Sequence, residues 1–413
     1  MPSQDGGNFL SSFLSSPSNL QRRRCRQMLR LSLLLLVSAA FLCYFSMAAN
    51  DPVCHTEDAE CKTGQRNWRK VWSEKEAKEQ VAVLDRPEAL LVKAKVVDVF
   101  LPQVHLGVVA CGERLQETLT MLKSALSFGK APLHAHIFAD QLLQPQFEQT
   151  LTEWSDVVSW RRFNFSIYPI SFPEGNAEEW RKLFKLCGCQ RLYIPDLLPS
   201  VDSLLYVDTD VLFASAPERV WSHFANFSAD QLAALAPESE EPSTNWYVRF
   251  ARHPFFLPYG VNSGVMLMNM TRMRRFGWGK LHWPLYKKFK YNLTWGDQDI
   301  INIIFHKHPE KLLVFGCEWN YRPDHCMYTS VCKRAEQTGA YLVHGSRGFF
   351  HKPKQPVFTA FYRAFDTYRL GSELRSNLLK PLSSALMKLV NSSNCAKVTD
   401  VFLKQIRNSL EPR

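Results

Sequence analysis

After a polar opening stretch the chain runs through nineteen uncharged residues, 31–49 (LSLLLLVSAAFLCYFSMAA). As a helix this run spans about 28 Å, close to the ~30 Å hydrocarbon thickness of a bilayer. It exceeds the roughly 7–15 apolar residues of a cleaved signal and comes after a hydrophilic leader, so it reads as a retained single-span anchor. Arg22, Arg23, Arg24, Arg26 and Arg30 precede it, and no Lys or Arg falls between Asn50 and Asp58. The positive-inside rule then puts residues 1–30 in the cytosol and the rest in the lumen of the ER or Golgi. Residues 50–103 are polar and charge-rich and read as a stem.

From residue 104 the pattern changes to short apolar runs alternating with segments of helical spacing. His105–Ala110, Leu133–Phe138, Ser203–Val207, Gly264–Asn269, Leu312–Phe315 and Ala340–Val343 read as strands. Glu113–Phe128, Gln144–Trp154, Glu178–Ile194 and Asp297–His308 read as helices. Strand and helix in alternation predict an α/β domain over 104–370 with a largely parallel sheet covered on both faces. The last segment, 371–413, reads as a helical extension. In such a fold ligands gather beyond the carboxyl ends of strands, so the residues just after Ala110, Val207 and Val343 are the places to look for a site.

Composition narrows the class. Hydrophobic residues make up 46% and charged residues 22% of 413, which excludes a disordered or collagen-like chain. The net charge is +11; the first 50 residues hold five Arg and one Asp, +4, leaving +7 for the remainder. That mild surplus suits an anionic small-molecule partner better than nucleic acid. Nine cysteines lie after the anchor: Cys54, Cys61, Cys111, Cys187, Cys189, Cys317, Cys326, Cys332 and Cys395. An oxidising lumen permits disulfides, and Cys54/Cys61 and Cys326/Cys332 are near enough in sequence to close small loops. Nine is odd, so at least one thiol stays free or pairs with another chain. Sequons at Asn164, Asn226, Asn269, Asn292 and Asn391 agree with a lumenal location, with Asn269 too close to an apolar run to be a good acceptor.

The chemistry begins at Asp208-Thr209-Asp210, directly after a buried strand. Two carboxylates there are either solvated or share a cation, because burying both unpaired costs several kcal/mol. Oxygen ligands suit Mg²⁺ or Mn²⁺, both of which also take diphosphate oxygens. His344, at the end of another strand and beside Gly345, is a third candidate ligand; an imidazole favours Mn²⁺ over Ca²⁺. His351 is a weaker alternative.

The string 204–213 (LLYVDTDVLF), with Asn262-Ser263-Gly264, Gly296-Asp297-Gln298-Asp299 and His344-Gly345 in the same order, resembles the family 8 retaining glycosyltransferases. The resemblance covers roughly residues 104–365. It implies a GT-A type, single Rossmann-like nucleotide-sugar-binding domain. Stretches such as 256–274 (FLPYGVNSGVMLMNMTRMR), WGDQDIINIIF and LVHGSRGFFHK are similar to members of that family that add xylose to glucosides. The resemblance implies Asp208, Asp210 and His344 as ligands of Mn²⁺ (or Mg²⁺), with Asp208 also near the ribose. It implies Val109, Ala110 and Cys111 around the uridine, Arg191 and Lys352 toward the donor, and Asn262 toward the donor sugar or acceptor. Asp297 would hold sugar hydroxyls and Gln298 would lie near the anomeric carbon. The implied donor is UDP-α-D-xylose. The implied acceptor is glucose O-linked to EGF-like repeats, as in Notch, extended by an α1,3 linkage. The family's other donors and acceptors, and a lumenal sugar-binding protein without turnover, are the alternatives.

One departure stands out. Family members often carry a lysine six residues after the histidine, whereas this chain has Phe350 there and Lys352-Pro353 two residues later. The aromatics Trp246, Tyr247, Phe255, Phe256, Trp295, Trp319 and Tyr321 are candidates for a wall against a hexose hydroxymethyl group or a platform for an acceptor sugar. Same-face attack is the expected route to retention, since an amide such as Gln298 is a poor nucleophile; Asp297 and Asp299 leave a covalent route open.

Overall fold

The central sheet is built from mostly apolar strands that are buried in its middle and more exposed at its two edges. They are β1 (Val104–Ala110), β2 (Leu133–Ala139), β3 (Phe163–Pro169), β4 (Ser203–Val207), β6 (Ala233–Pro237), β7 (Val261–Asn269) and β8 (Leu312–Val314). Their order is β3-β2-β1-β4-β7-β6-β8. A separate ribbon pairs β5 (Val211–Phe213) with β9 (Leu342–His344). This computed structural model describes residues 101–159, 162–183 and 187–411, within the unit Asp98–Arg413. The anchor, nearly all of the stem and the Cys54/Cys61 pair lie outside the described residues; no helix among those described is long and apolar enough to cross a membrane.

Period-two alternation sends Leu106, Val108, Leu205, Val207, Val265 and Leu267 to one core and Leu204, Tyr206, Leu235, Met266 and Met268 to the other. The helices of eight residues or more are α1 (Leu115–Phe128), α2 (Gln144–Val157), α3 (Gln190–Leu197), α4 (Trp278–Phe289), α5 (Asp297–Lys307), α6 (Pro356–Thr367), α7 (Lys380–Met387) and α8 (Asp400–Ser409). Helices α1, α2, α6, α7 and α8 contribute to the first core; α3, α4 and α5 contribute to the second. The C-terminal segment is therefore part of the same packing. Phe402 of α8 is fully buried against Tyr321, Phe358 and Phe361, and truncating such a ring to Ala costs roughly 3–5 kcal/mol.

Strand direction decides where the site forms. The pairs β1–β2, β2–β3, β1–β4 and β6–β8 are parallel, while β7 runs antiparallel to both β4 and β6. The sheet is thus mixed, with β7 alone reversed. With Val207 opposite Val265, the beginning of β7, Asn262-Ser263-Gly264, lies beside the carboxyl end of β4. Parallel packing would have carried those residues to the far edge.

Several expectations need correction. The helix expected over Glu178–Ile194 is two helices, Ala177–Leu183 and α3, with a turn at 187–189. Cys187 there is tied by a disulfide to Cys111. The run ending at Val343 belongs to the small ribbon, not the main sheet. Strands β3 and β6 were not expected. Cys326 pairs with Cys395 and Cys317 with Cys332, rather than Cys326 with Cys332. Cys189 is the free cysteine among the described residues, and it is buried.

Candidate active site

At the carboxyl ends of β1 and β4 lies a cleft of about 500 Å³. Val109, Cys111 and Gly112 from the end of β1, Cys187 and Gly188 from the turn before α3, and Asp208-Thr209-Asp210 line it, with Arg114, Asp140, Arg191, Tyr206 and Asp297. The Cys111–Cys187 disulfide is therefore part of its wall.

The sharp passage from β4 into β5 presents both aspartates. Asp208 N–H donates to Gly264 O at 2.9 Å and Val211 N–H to Asp208 O at 3.2 Å. Between the carboxylates, Thr209 turns inward and its hydroxyl donates to Glu117 Oε2 at 3.1 Å. Glu117 is itself buried and also meets Arg114 and His351. The ribbon register places His344 opposite Val211, so the imidazole Nε2 lies 3.2 Å from Asp210 Oδ1 and 3.8 Å from Asp208 Oδ2. One ligand atom from each of the three residues falls within 4.8 Å of the others. A Cβ at position 264 would overlap the His344 ring, so this glycine is what lets the imidazole approach β7. Burial alone would raise the Asp210 carboxyl; His344 and Arg114 outweigh it and hold that group below the usual range. Two carboxylates and an imidazole nitrogen suit a divalent cation of the Mn²⁺ or Mg²⁺ kind.

Arg191 is not a solvated helix charge. It is buried, with its guanidinium 4.7 Å from the Tyr206 ring centroid. It donates to Asp297 Oδ2 from Nε at 2.7 Å and from an Nη at 2.5 Å, to Asp208 Oδ1 at 3.2 Å, and to Ser263 O. Burial opposes the charge, yet Asp297, Tyr206 and Asp208 leave its pKa raised. For Asp297 burial wins over the pull of Arg191, and its carboxyl stands above the ordinary value. Gly296, at φ +67°, makes the turn that delivers Asp297 to the first position of α5.

Gln298 is fixed at both ends of its amide. Its Oε1 accepts from Ser263 N–H at 3.1 Å and Ser263 O–H at 3.2 Å; its Nε2 donates to Tyr247 Oη at 3.2 Å. Asp299 is fully buried and accepts from Thr294 N–H, Trp295 N–H and Tyr247 O–H at 2.6, 2.6 and 2.9 Å. It shapes the approach to α5 and is closed to a sugar, which removes it as a nucleophile.

Other expected residues fall elsewhere. Ala110 faces the first core and is fully buried, because alternation along β1 turns it away from Val109. Lys352 donates from Nζ to Arg347 O at 2.7 Å and does not line the cleft; Phe350 takes the inward position, packing on Tyr362. His351 binds Glu117 at 3.1 Å and lies outside the three-ligand cluster. Asn262 is buried and does not line the cleft; its Nδ2 donates to Glu238 Oε2 at 3.0 Å. Trp246 and Trp295 make an edge-to-face pair at 5.5 Å next to the Tyr247–Gln298 contact. Trp319 stacks on Tyr341 and Tyr321 is core, so neither joins such a wall. Arg114, Glu117, Glu238 and Asn320 were not expected at the site. Arg114 comes soon after Gly112 at the end of β1, a place where the strand-end rule directs a search.

The profile of Glycosyl transferase family 8 matches residues 108–344. Glucoside xylosyltransferase 1 of Rattus norvegicus is 52% identical over 322 residues, 75% of this chain and 73% of that protein. Glucoside xylosyltransferase 2 of Xenopus laevis is 50% identical over 319 residues, 75% of each chain. Among solved structures, apo mouse xyloside xylosyltransferase 1 is similar at a TM-score of 0.44 and 19% identity, over 60% of this chain and 98% of that one.

Proposed function

Because the chain belongs to glycosyltransferase family 8, we propose that it transfers xylose, with retention, from UDP-α-D-xylose to glucose O-linked on EGF-like repeats, forming an α1,3 linkage. The observation that carries the reading is the convergence of Asp208 and Asp210, after β4, with His344, at the end of β9, while Arg191 ties Asp208 to Asp297 in the same cleft. The relatives named glucoside xylosyltransferase support the choice of sugar and acceptor.

Asp208, Asp210 and His344 would hold Mn²⁺ (or Mg²⁺), which when bound offsets the negative charge that grows on the departing UDP. Val109 and the Cys111–Cys187 wall shape the nucleotide end. Arg191 keeps Asp208 and Asp297 in fixed relation, so the donor-side and sugar-side carboxylates do not move independently. Asp297 orients sugar hydroxyls. Gln298, an amide clamped by Ser263 and Tyr247, is a poor nucleophile, Asp299 is closed off, and Asp297 is engaged by two bonds from Arg191. Same-face attack, in which the departing phosphate oxygen takes the acceptor proton, is therefore the route the residues favour. Location as a single-pass type II protein of the ER or Golgi membrane belongs to the same reading, supported by the 31–49 run and three disulfides.

A donor screen tests the reading. The purified protein with an O-glucosylated EGF-like repeat should release UDP from UDP-xylose and not from UDP-glucose or UDP-galactose. Turnover confined to a hexose donor would reject xylose; UDP-sugar binding without turnover on any acceptor would favour a sugar-binding protein.

A further inference from the structure

His344 reaches Asp210 and Asp208 through Nε2, and a ring nitrogen can accept a cation there only if its proton sits on Nδ1. Nδ1 lies 2.9 Å from Asn320 Oδ1 in a buried contact. An amide can face the ring with either end, so the neighbours of Asn320 decide which end it shows.

Those neighbours form one directional chain. Glu238 Oε2 can only accept, and it takes a hydrogen from Asn262 Nδ2 at 3.0 Å. The other end of that amide, Asn262 Oδ1, is therefore an acceptor; it takes Gly264 N–H at 3.1 Å and Asn320 Nδ2–H at 2.8 Å. Asn320 must then turn its oxygen to His344 and hold a proton on Nδ1, so that Nε2, facing the aspartates, is the nitrogen whose proton a cation would displace. Arg322, fully buried, donates to Glu238 Oε2 at 2.7 Å and fixes the origin of the chain. Asn320 has no exposed surface and Asn262 almost none, so water has little access with which to supply a competing partner.

We propose that Glu238, Asn262 and Asn320 are positioning residues that impose the Nδ1–H tautomer on His344 and thereby set the affinity of the Asp208–Asp210–His344 cluster for a divalent cation. The inference rests on the proposed metal role of that cluster. Ligand histidines generally owe ring orientation to such an outer partner, whose loss weakens metal binding roughly 10–100-fold. Here the partner is a neutral amide whose sense is dictated by a carboxylate two residues further along the chain of bonds.

Two substitutions at one position separate tautomer control from plain structural support. Asn320→Leu removes the acceptor at Nδ1. Asn320→Asp keeps an acceptor there and loses the donor to Asn262. Both disturb a buried network, so both should lower Tm. Mn²⁺ affinity, read from the free-ion EPR signal in a titration of the purified protein, should fall about 10–100-fold in Asn320→Leu and stay within about threefold in Asn320→Asp. Unchanged affinity in Asn320→Leu overturns the inference, as does an equal loss in both variants that tracks the loss of Tm. Absence of Mn²⁺ binding by the unsubstituted protein overturns the metal role itself, and the inference with it.

Discussion

The guanidinium of Arg191 donates twice to the carboxylate of Asp297, a residue 106 positions later, at 2.7 and 2.5 Å. Both side chains are more than nine-tenths buried. A third bond, to Asp208, makes this cation the bridge between the ends of α3, β4 and α5. Removing it leaves the Asp297 carboxylate buried without its charged partner. Arg191→Met should therefore lower the unfolding free energy by about 3–5 kcal/mol, measured by denaturant titration, and should abolish transfer. Arg191→Lys, with no planar fork, should recover only part of either.

Gly264 allows His344 to lie against β7. Gly264→Ala should displace the imidazole while sparing the sheet, since this strand glycine lies outside the left-handed region that disfavours alanine. The expected result is a loss of metal-dependent turnover of at least about tenfold with a small change in Tm, read from the Mn²⁺ concentration needed for half-maximal rate.

The disulfide Cys111–Cys187 closes a loop between residues 76 positions apart and lines the cleft. Replacing both cysteines by serine should cost roughly 2–4 kcal/mol of stability. It should also weaken UDP binding in calorimetry, because the wall of the nucleotide end is then no longer tied to β1. Unchanged UDP affinity would show that the disulfide serves folding alone.

Acid should destabilise the fold well above the carboxylate range. His136, His282 and His325 are buried, and desolvation lowers each to about 3. Their folded pKa is depressed below the unfolded value near 6.5, so the unfolded chain binds protons first. Stability is intact above about pH 6.5 and is lost as pH falls toward 3, with three protons contributing up to about 4.1 kcal/mol per pH unit. His282, whose ring nitrogens both lack a partner, is the cleaner probe. His282→Phe should lower the slope of Tm between pH 6.5 and 5 by roughly a third.

The residues also show what a sequence can and cannot carry. Asp208-Thr209-Asp210 was legible because a buried strand leading into two acids leaves few outcomes, and His344 because it ends another apolar run. Arg191 was only half legible: helical spacing does not tell a solvated charge from one that enters the site. The reversed direction of β7 left no mark, since a buried strand reads the same either way; yet that reversal brings Asn262 and Ser263 beside the carboxyl end of β4. Asn320 and Glu238 left none either, being 24 and 106 positions from the histidine they serve, a distance that only strand pairing closes. Cysteine proximity in sequence misled for the same reason, Cys326 meeting Cys395 across 69 positions.

Xylose transfer from UDP-xylose to an O-glucosylated EGF-like repeat, measured with and without chelator in the unsubstituted protein and in Asp210→Asn, is the decisive experiment. Chelation should stop turnover and added Mn²⁺ should restore it. Asp210→Asn should lose at least about 100-fold in rate, the order seen when a main electrostatic stabiliser of the leaving charge is removed, while its Tm stays near that of the unsubstituted protein. Full-rate transfer by Asp210→Asn in chelator would contradict the account.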